Sequence, residues 1–331
     1  MPPRSPRDKA ALPLTTLIEL FIVSKQIEGR SQKTLIWYKA NLKAFAEYAT
    51  DSTPATLQDF TLDQARGFVA HLQNRTTRYD NHSVRLTKEG GLSARSIHGY
   101  VRTLKTFANW LHLEGYVASS PLDRLKPPKL PETMIDVLTG DEIGRILRYI
   151  NPDGFLGARL YAIVLLLLDT GIRASELCTL TLTNTLLNEG HLKVIGKGSK
   201  ERLVPFGAAT KKALVKYIHS YRSEAPGNES NAVFLSVEGT PLTYNGLSLI
   251  IRRLALGADI PRLHAHLFRH TFAVRYLMNG GDIMTLRLIL GHTTLEVTQV
   301  YMHLAESHIQ VQHSKFSPVD RLDIGKRRRR Q

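Results

Sequence analysis

Apolar residues recur every three or four positions in four stretches of the first 113 residues, the spacing that puts them on one face of a helix. Leu14, Leu17, Ile18 and Phe21 form such a face within 12–28. Leu35, Tyr38, Leu42, Phe45 and Tyr48 form a second, with Ser31 placed to cap its start. A third helix is predicted over 62–72 and a fourth over 93–113, where Ile97, Tyr100, Leu104, Phe107 and Leu111 align. Between these two, TTRYDNHSVRLTKEGG (76–91) is polar and ends in paired glycines, which predicts a long mobile loop.

The pattern then breaks. SSPLDRLKPPKLPE (119–132) carries four prolines, which fix backbone angles and disfavour helix before them, and reads as a linker. Beyond it LYAIVLLLL (160–168) is the longest apolar run, about half of the roughly 20 residues a membrane-spanning helix needs, so it reads as a core helix. His191–Ile195 and Glu201–Pro205 alternate or carry β-branched residues around a glycine-rich GKGSK and predict a hairpin. The expected fold is therefore mainly α with a small β-sheet. Its parts are a basic N-terminal tail (1–11), a helical domain (12–118), a proline-rich linker (119–135), a mixed α+β domain (136–316) and a basic C-terminal tail (317–331). After Tyr301, at the end of the mixed domain, Leu304, Ile309, Val311 and Phe316 are apolar residues too few to build a core of their own.

Composition narrows the partners. The chain has 331 residues, enough for about two domains with separate cores. Forty-four Lys and Arg against 29 Asp and Glu leave a net charge of +15, which favours nucleic acid or an anionic membrane surface. The short apolar runs argue against a membrane. A single cysteine, Cys178, excludes an intramolecular disulfide framework, and MPPRSPRDKA lacks the apolar stretch of a secretory signal, so a reducing cytoplasmic setting is expected. The closing KRRRR (326–330) reads as a solvated tail able to add unspecific phosphate contacts. On the fourth helix Arg95, Arg102 and Lys105 share a face, a pattern that serves either solvation or tracking of a DNA groove.

Candidate chemistry follows from the second domain. Gly196-Lys197-Gly198 is no Walker loop, because that motif continues into Ser or Thr and a helix rather than a strand. TGIRASEL (170–177) puts Arg173 at a helix start, and HAHLFRH (264–270) puts His266 and Arg269 on one side of a helical turn. LGHTTLEVTQVYMH (290–303) places Tyr301 nine residues after His292. His264, His266 and His270 lack the carboxylate or cysteine cluster that would complete a metal shell. What remains is a metal-free set for phosphoryl transfer. Guanidinium forks on Arg173 and Arg269 suit the charge that develops on phosphate oxygens. Tyr301 needs a base or a positive field to act as nucleophile, and His266 and the arginines are the candidates for each. Lys197 can protonate a departing sugar oxygen, and His292 can hydrogen-bond the phosphate.

TGIRASEL, VIGKGSKERLVP, HLFRHTFA and LGH followed after nine residues by Tyr301 are four motifs in fixed order, and the whole chain resembles the tyrosine recombinases of the phage-integrase family, most nearly the two-domain Xer-type members. The resemblance implies a SAM-like helical core-binding domain, which binds DNA, and a tyrosine-recombinase catalytic domain. It implies that Arg173 and Arg269 grip the scissile phosphate, with Lys197, His266 and His292 completing the site, Tyr301 as nucleophile and Glu176 as a brace. Such enzymes form a 3′-phosphotyrosyl link, free a 5′-hydroxyl and rejoin it to another strand with no metal or ATP. The resemblance further implies dimers and tetramers on double-stranded DNA, a C-terminal segment docked on a neighbouring protomer, a paralogous recombinase or accessory protein as a further partner, and a cytoplasmic, nucleoid-associated setting. Arg287 stands where many relatives have glutamine, and the 76–91 segment exceeds the Xer-type minimum; both bear on DNA-site preference. A type IB topoisomerase and a catalytically silent DNA-binding regulator are the competing readings.

Overall fold

The computed structural model describes residues 9–50, 54–78, 88–130, 135–196, 201–292, 301, 313–314 and 317–319. The chain forms two compact units, Met1–Thr133 and Met134–Gln331, each with its own core.

In the first unit the four apolar stripes become α1 (Leu14–Ile27), α2 (Gln32–Ala49), α3 (Leu62–Asn74) and α4 (Ala94–Leu113). Side-chain oxygens of Ser31, Thr61 and Ser93 accept backbone N–H groups of Thr34, Gln64 and Ser96, satisfying donors that the first turns of α2, α3 and α4 leave orphaned. Aromatic edges fill the middle: Phe21 meets Phe107 and Trp110, and Phe45 meets Phe60 and Phe68, with ring centroids 5.3–5.6 Å apart. The two ends of the 76–91 segment pair as a short antiparallel ribbon, β1 (Thr77–Arg78) with β2 (Lys88–Glu89), closed by the Gly90 N–H on the Thr76 carbonyl. Strands of two residues carry too little alternation to be seen in sequence, and residues 79–87 lie outside the described set. Leu122 and Leu125 of the proline-rich segment are buried in this first core. Prolines exclude helix there without preventing leucines from packing.

The second unit is built on α6 (Gly154–Thr170), the apolar run foreseen as a core helix. Ala158, Ala162, Ile163, Val164, Leu166 and Leu167 are buried on it, and no described helix is long and apolar enough to cross a membrane. Before it comes α5 (Gly140–Tyr149) and after it the short α7 (Ala174–Cys178). A three-stranded antiparallel sheet follows, β3 (Thr185–Leu186), β4 (His191–Ile195) and β5 (Glu201–Pro205), in that order across the sheet. Leu192, Val194 and Val204 turn inward, and the β4–β5 register runs from His191 opposite Pro205 to Ile195 opposite Glu201. The remaining helices are α8 (Ala208–Tyr217), α9 (Tyr244–Gly257), α10 (Ala265–Met278) and α11 (Ile283–Leu290). α8 and α10 pack on α6, and β5 lies against α11.

Two helix ends aim the chemistry. α6 stops at Gly171 (φ +60°), where a Cβ would come within 2.3 Å of the Phe272 ring, and the chain turns sharply toward Arg173. α11 stops the same way at Gly291 (φ +64°), one residue before His292.

Candidate active site

Arg269 lies on the inner face of α10 and is only 2% exposed. Its Nη1 donates to the Gly171 carbonyl (2.7 Å), and its Nη2 to the Leu290 carbonyl (2.8 Å) and to Nε2 of His292 (2.8 Å). One buried guanidinium thus holds the end of α6, the end of α11 and the histidine beyond it. Burial, with Arg173 nearby, lowers its pKa to about 10, so it stays a cation at neutral pH. Burial and the surrounding arginines hold His292 down to about 4. His292 is therefore neutral, and because Nε2 accepts from Arg269 its proton sits on Nδ1.

Arg173 precedes α7, and its own N–H donates to Oε2 of Glu176 (2.8 Å) while its Nη1 donates to Oε1 (2.9 Å). Its Nη2 reaches the Gly291 carbonyl at 3.5 Å, so the loops carrying Arg173 and His292 touch directly. Burial alone would raise the Glu176 pKa; the bonds from Arg202 and Arg173 outweigh it and the carboxylate is held below its usual range. Arg202, on β5, donates from both Nη atoms to the two Glu176 oxygens at 2.9 Å.

The third group is His266, His270 and Tyr301. His266 is open to solvent, with its ring edge-on to His270 at a centroid distance of 4.3 Å. Burial first, then Arg269, His264 and Arg173, lowers the His266 pKa, and burial with His266 nearby lowers His270 to about 4. Nδ1 of His270 lies 2.9 Å from the Tyr301 hydroxyl. The phenol's hydrogen-bond partner in this arrangement is thus His270 rather than the His266 that the sequence nominates as base. Tyr301 is 3% exposed; burial raises its pKa while Arg269 and Arg173 pull it down.

The structure thus gathers Arg173, Glu176, Arg269 and His292 at two adjoining helix ends, with Tyr301 held from α10 by His270. Lys197 lies outside the described residues, as do 293–300, the apolar residues from Leu304 to Phe316 and the KRRRR stretch. Among the described residues no group of three or more His, Cys, Asp or Glu is arranged to hold a metal ion.

Residues 136–308 match the phage integrase family. The tyrosine recombinase XerD of Staphylococcus aureus (strain Mu50) is 31% identical over 308 residues, covering 92% of this chain and 99% of that protein. The chain belongs to this family of tyrosine recombinases. The XerD protein of Staphylococcus haemolyticus is 30% identical over the same share of both chains. Among solved structures, XerH recombinase bound to a palindromic difH substrate matches with a TM-score of 0.69 at 18% identity, over 92% of this chain and 85% of that one. At that identity the likeness speaks for the fold, which is mainly helical with a small antiparallel sheet.

Within this recombinase, Arg202 is the site residue that sequence reasoning passes over, and His270 is one it weighs only as a metal ligand. Arg202 had a legible signal: it shares a strand face with the buried Val204, whereas Leu203 between them is 58% exposed. His270 stands one turn after His266, four residues on, and so on the same helix face. In the first unit, the Arg102 guanidinium lies over the Trp37 ring at 5.9 Å. Lys105 donates to the carbonyls of Asp123 (3.1 Å) and Leu125 (3.2 Å), while Arg95 is exposed.

Proposed function

We propose that Arg173, Arg269 and His292 grip the scissile phosphate of a specific DNA site, that Tyr301 attacks it, and that Lys197 protonates the departing oxygen. The Tyr301 oxygen forms a bond to phosphorus, its proton passing to a neighbouring imidazole, and the bond from phosphorus to the 5′ oxygen breaks. The products are a 3′-phosphotyrosyl link and a 5′-hydroxyl. Because the link keeps the energy of the ester, a 5′-hydroxyl from another strand reverses the step without ATP. Guanidinium groups stabilise the charge that grows on the non-bridging oxygens, the task a divalent metal performs in other phosphoryl-transfer enzymes. The activity is site-specific breakage and rejoining of DNA strands, the function of this family.

One observation carries the reading most directly. The Arg269 guanidinium bonds the Gly171 carbonyl, the Leu290 carbonyl and His292 at once, so motifs some 120 residues apart in sequence meet at a single cation. Such convergence suits a phosphate clamp, and the reading rests on it together with Tyr301 held beside the same helix. The partner is duplex DNA, on which two protomers pair and two pairs form a tetramer. The segment after Tyr301 docks on the neighbouring protomer, a paralogous recombinase or accessory protein directs the exchange, and the setting is the cytoplasmic nucleoid.

Incubation of the purified protein with nicked duplexes carrying candidate sites, without metal or ATP, tests the chemistry. A DNA adduct that resists detergent but not protease, linked through a 3′ phosphate and absent from Tyr301→Phe, is expected. An adduct of undiminished yield in that variant would refute the assignment of the nucleophile. Relaxation of supercoiled DNA with no partner site and no strand exchange would favour the topoisomerase reading instead.

A further inference from the structure

Arg202 has no part in the reaction set out above, yet it touches groups that adjoin both Arg173 and His292. It sits on β5 opposite Val194, on the face that Val204 buries, so strand alternation drives a guanidinium inward. Its two Nη atoms meet the two Glu176 oxygens at 2.9 Å, and its Nε donates to the Ile289 carbonyl at 2.8 Å. Its side chain also packs against Gly291 so closely that a Cβ there would fall 3.0 Å from Nε.

We infer that Arg202 is a positioning residue that sets Arg173 and His292 in register with each other. This rests on the assignment of those two residues as phosphate ligands. The stoichiometry of the carboxylate makes the case. Each Glu176 oxygen accepts one bond from Arg202 and one from Arg173, through Nη1 on Oε1 and the backbone N–H on Oε2. A carboxylate only 4% exposed cannot recruit water for a lost donor. Without Arg202 it draws the rest of the Arg173 fork onto itself, turning that fork from the phosphate. The Ile289 carbonyl and the Gly291 turn lose their packing at the same time, and His292, one residue on, loses its fixed place. Arg202 thus acts through two neighbours and needs no contact with DNA.

The test is single-turnover cleavage by the intact protein on a nicked duplex that the wild type cleaves, with Arg202→Gln and the charge-retaining Arg202→Lys. Affinity for the duplex should stay within about twofold, and the final yield of adduct should match the wild type. The rate should fall about 100-fold in Arg202→Gln, the scale of a catalytic group misplaced by an ångström, and less in Arg202→Lys. The same fall should appear on a substrate whose bridging 5′ oxygen is replaced by sulfur, which departs without a proton.

Three results would overturn the inference: an unchanged rate; a lower yield at unchanged rate, which marks a misfolded fraction; or a defect erased by the sulfur substrate, which places the fault in leaving-group protonation. Tyr301→Phe and Arg173→Ala run alongside. Adduct formation at wild-type rate in Arg173→Ala would refute the clamp assignment and the inference with it, whereas in Tyr301→Phe it would refute the nucleophile.

Discussion

The hydroxyl of Tyr301 is hydrogen-bonded to Nδ1 of His270 across 2.9 Å, and the tyrosine is almost wholly buried. Under the proposed reaction, a neutral imidazole in that position is placed to take the phenolic proton as oxygen bonds to phosphorus. His270→Gln offers a hydrogen bond but no base, and should slow single-turnover cleavage roughly 100-fold at neutral pH, the usual scale of a general base. Comparison with His266→Gln on the same substrate shows which imidazole the phenol uses; a rate loss confined to His266→Gln would assign the role there.

Two histidines of the site also make stability depend on pH. His270 and His292 are each held down to about 4, below the 6.5 of an unhindered imidazole. Between these values the unfolded chain binds more protons than the folded one, so stability rises with pH through the window and is lost as pH falls from about 6.5 towards 4. After allowance for solvent screening at these half-buried sites, the loss from pH 7 to 5 should be on the order of 1 kcal/mol per histidine. Urea unfolding at both pH values measures it, and His270→Gln should flatten the slope.

Glu176→Gln leaves Arg173 and Arg202 facing each other without their shared counter-charge. With Glu176 only 4% exposed, the variant should lose about 3 kcal/mol, the cost of breaking a buried pair. The carboxylate's pKa is depressed in the fold, so its contribution is present above its unfolded value and fades as acid protonates it. Melting curves at pH 7 should separate the variant from the wild type, and the gap should narrow as pH falls below the usual carboxylate range.

Gly291→Ala combines a left-handed backbone with a methyl group 3.0 Å from Arg202. The backbone alone costs about 1–2 kcal/mol. Cleavage should fall as Arg202 and His292 shift, at unchanged affinity for DNA, which filter binding and adduct kinetics together would register.

On α4 the two exposed-looking cations should behave differently. Arg95→Ala should weaken binding to all duplex sequences and reduce the slope of log affinity against log salt by about 1, as loss of a phosphate contact does. Lys105 is committed to the carbonyls of Asp123 and Leu125, so Lys105→Ala should lower the melting temperature while leaving the salt slope alone.

Most of the scaffold was legible because periodicity records burial. Ser31 and Ser93 mark helix starts in the sequence and cap them in the structure, and the hairpin of His191–Ile195 with Glu201–Pro205 pairs over the residues foreseen. What escaped depends on contacts across long stretches of chain. Nothing local in ERLVP announces that Arg202 will meet a carboxylate 26 residues back, and nothing in HLFRH ranks His270 above His266 for the phenol. The prolines of 119–132 signalled an extended segment and concealed that Leu122 and Leu125 belong to a core. Pattern reports which face a residue takes, and only the fold reports whom it meets there.

Among the described residues no carboxylate is bonded to the buried Arg269; two of its acceptors are carbonyls at the C-terminal ends of α6 and α11. Each such end carries about half a negative charge from its aligned peptide dipoles, so the pair supplies roughly the one unit that the cation needs. Dipoles built into the backbone cannot swing away to ion-pair elsewhere, nor can they take up a proton. The charge of Arg269 is thereby balanced by fixed backbone partners, and under the proposed reaction a phosphodiester would meet a guanidinium that no mobile carboxylate competes for.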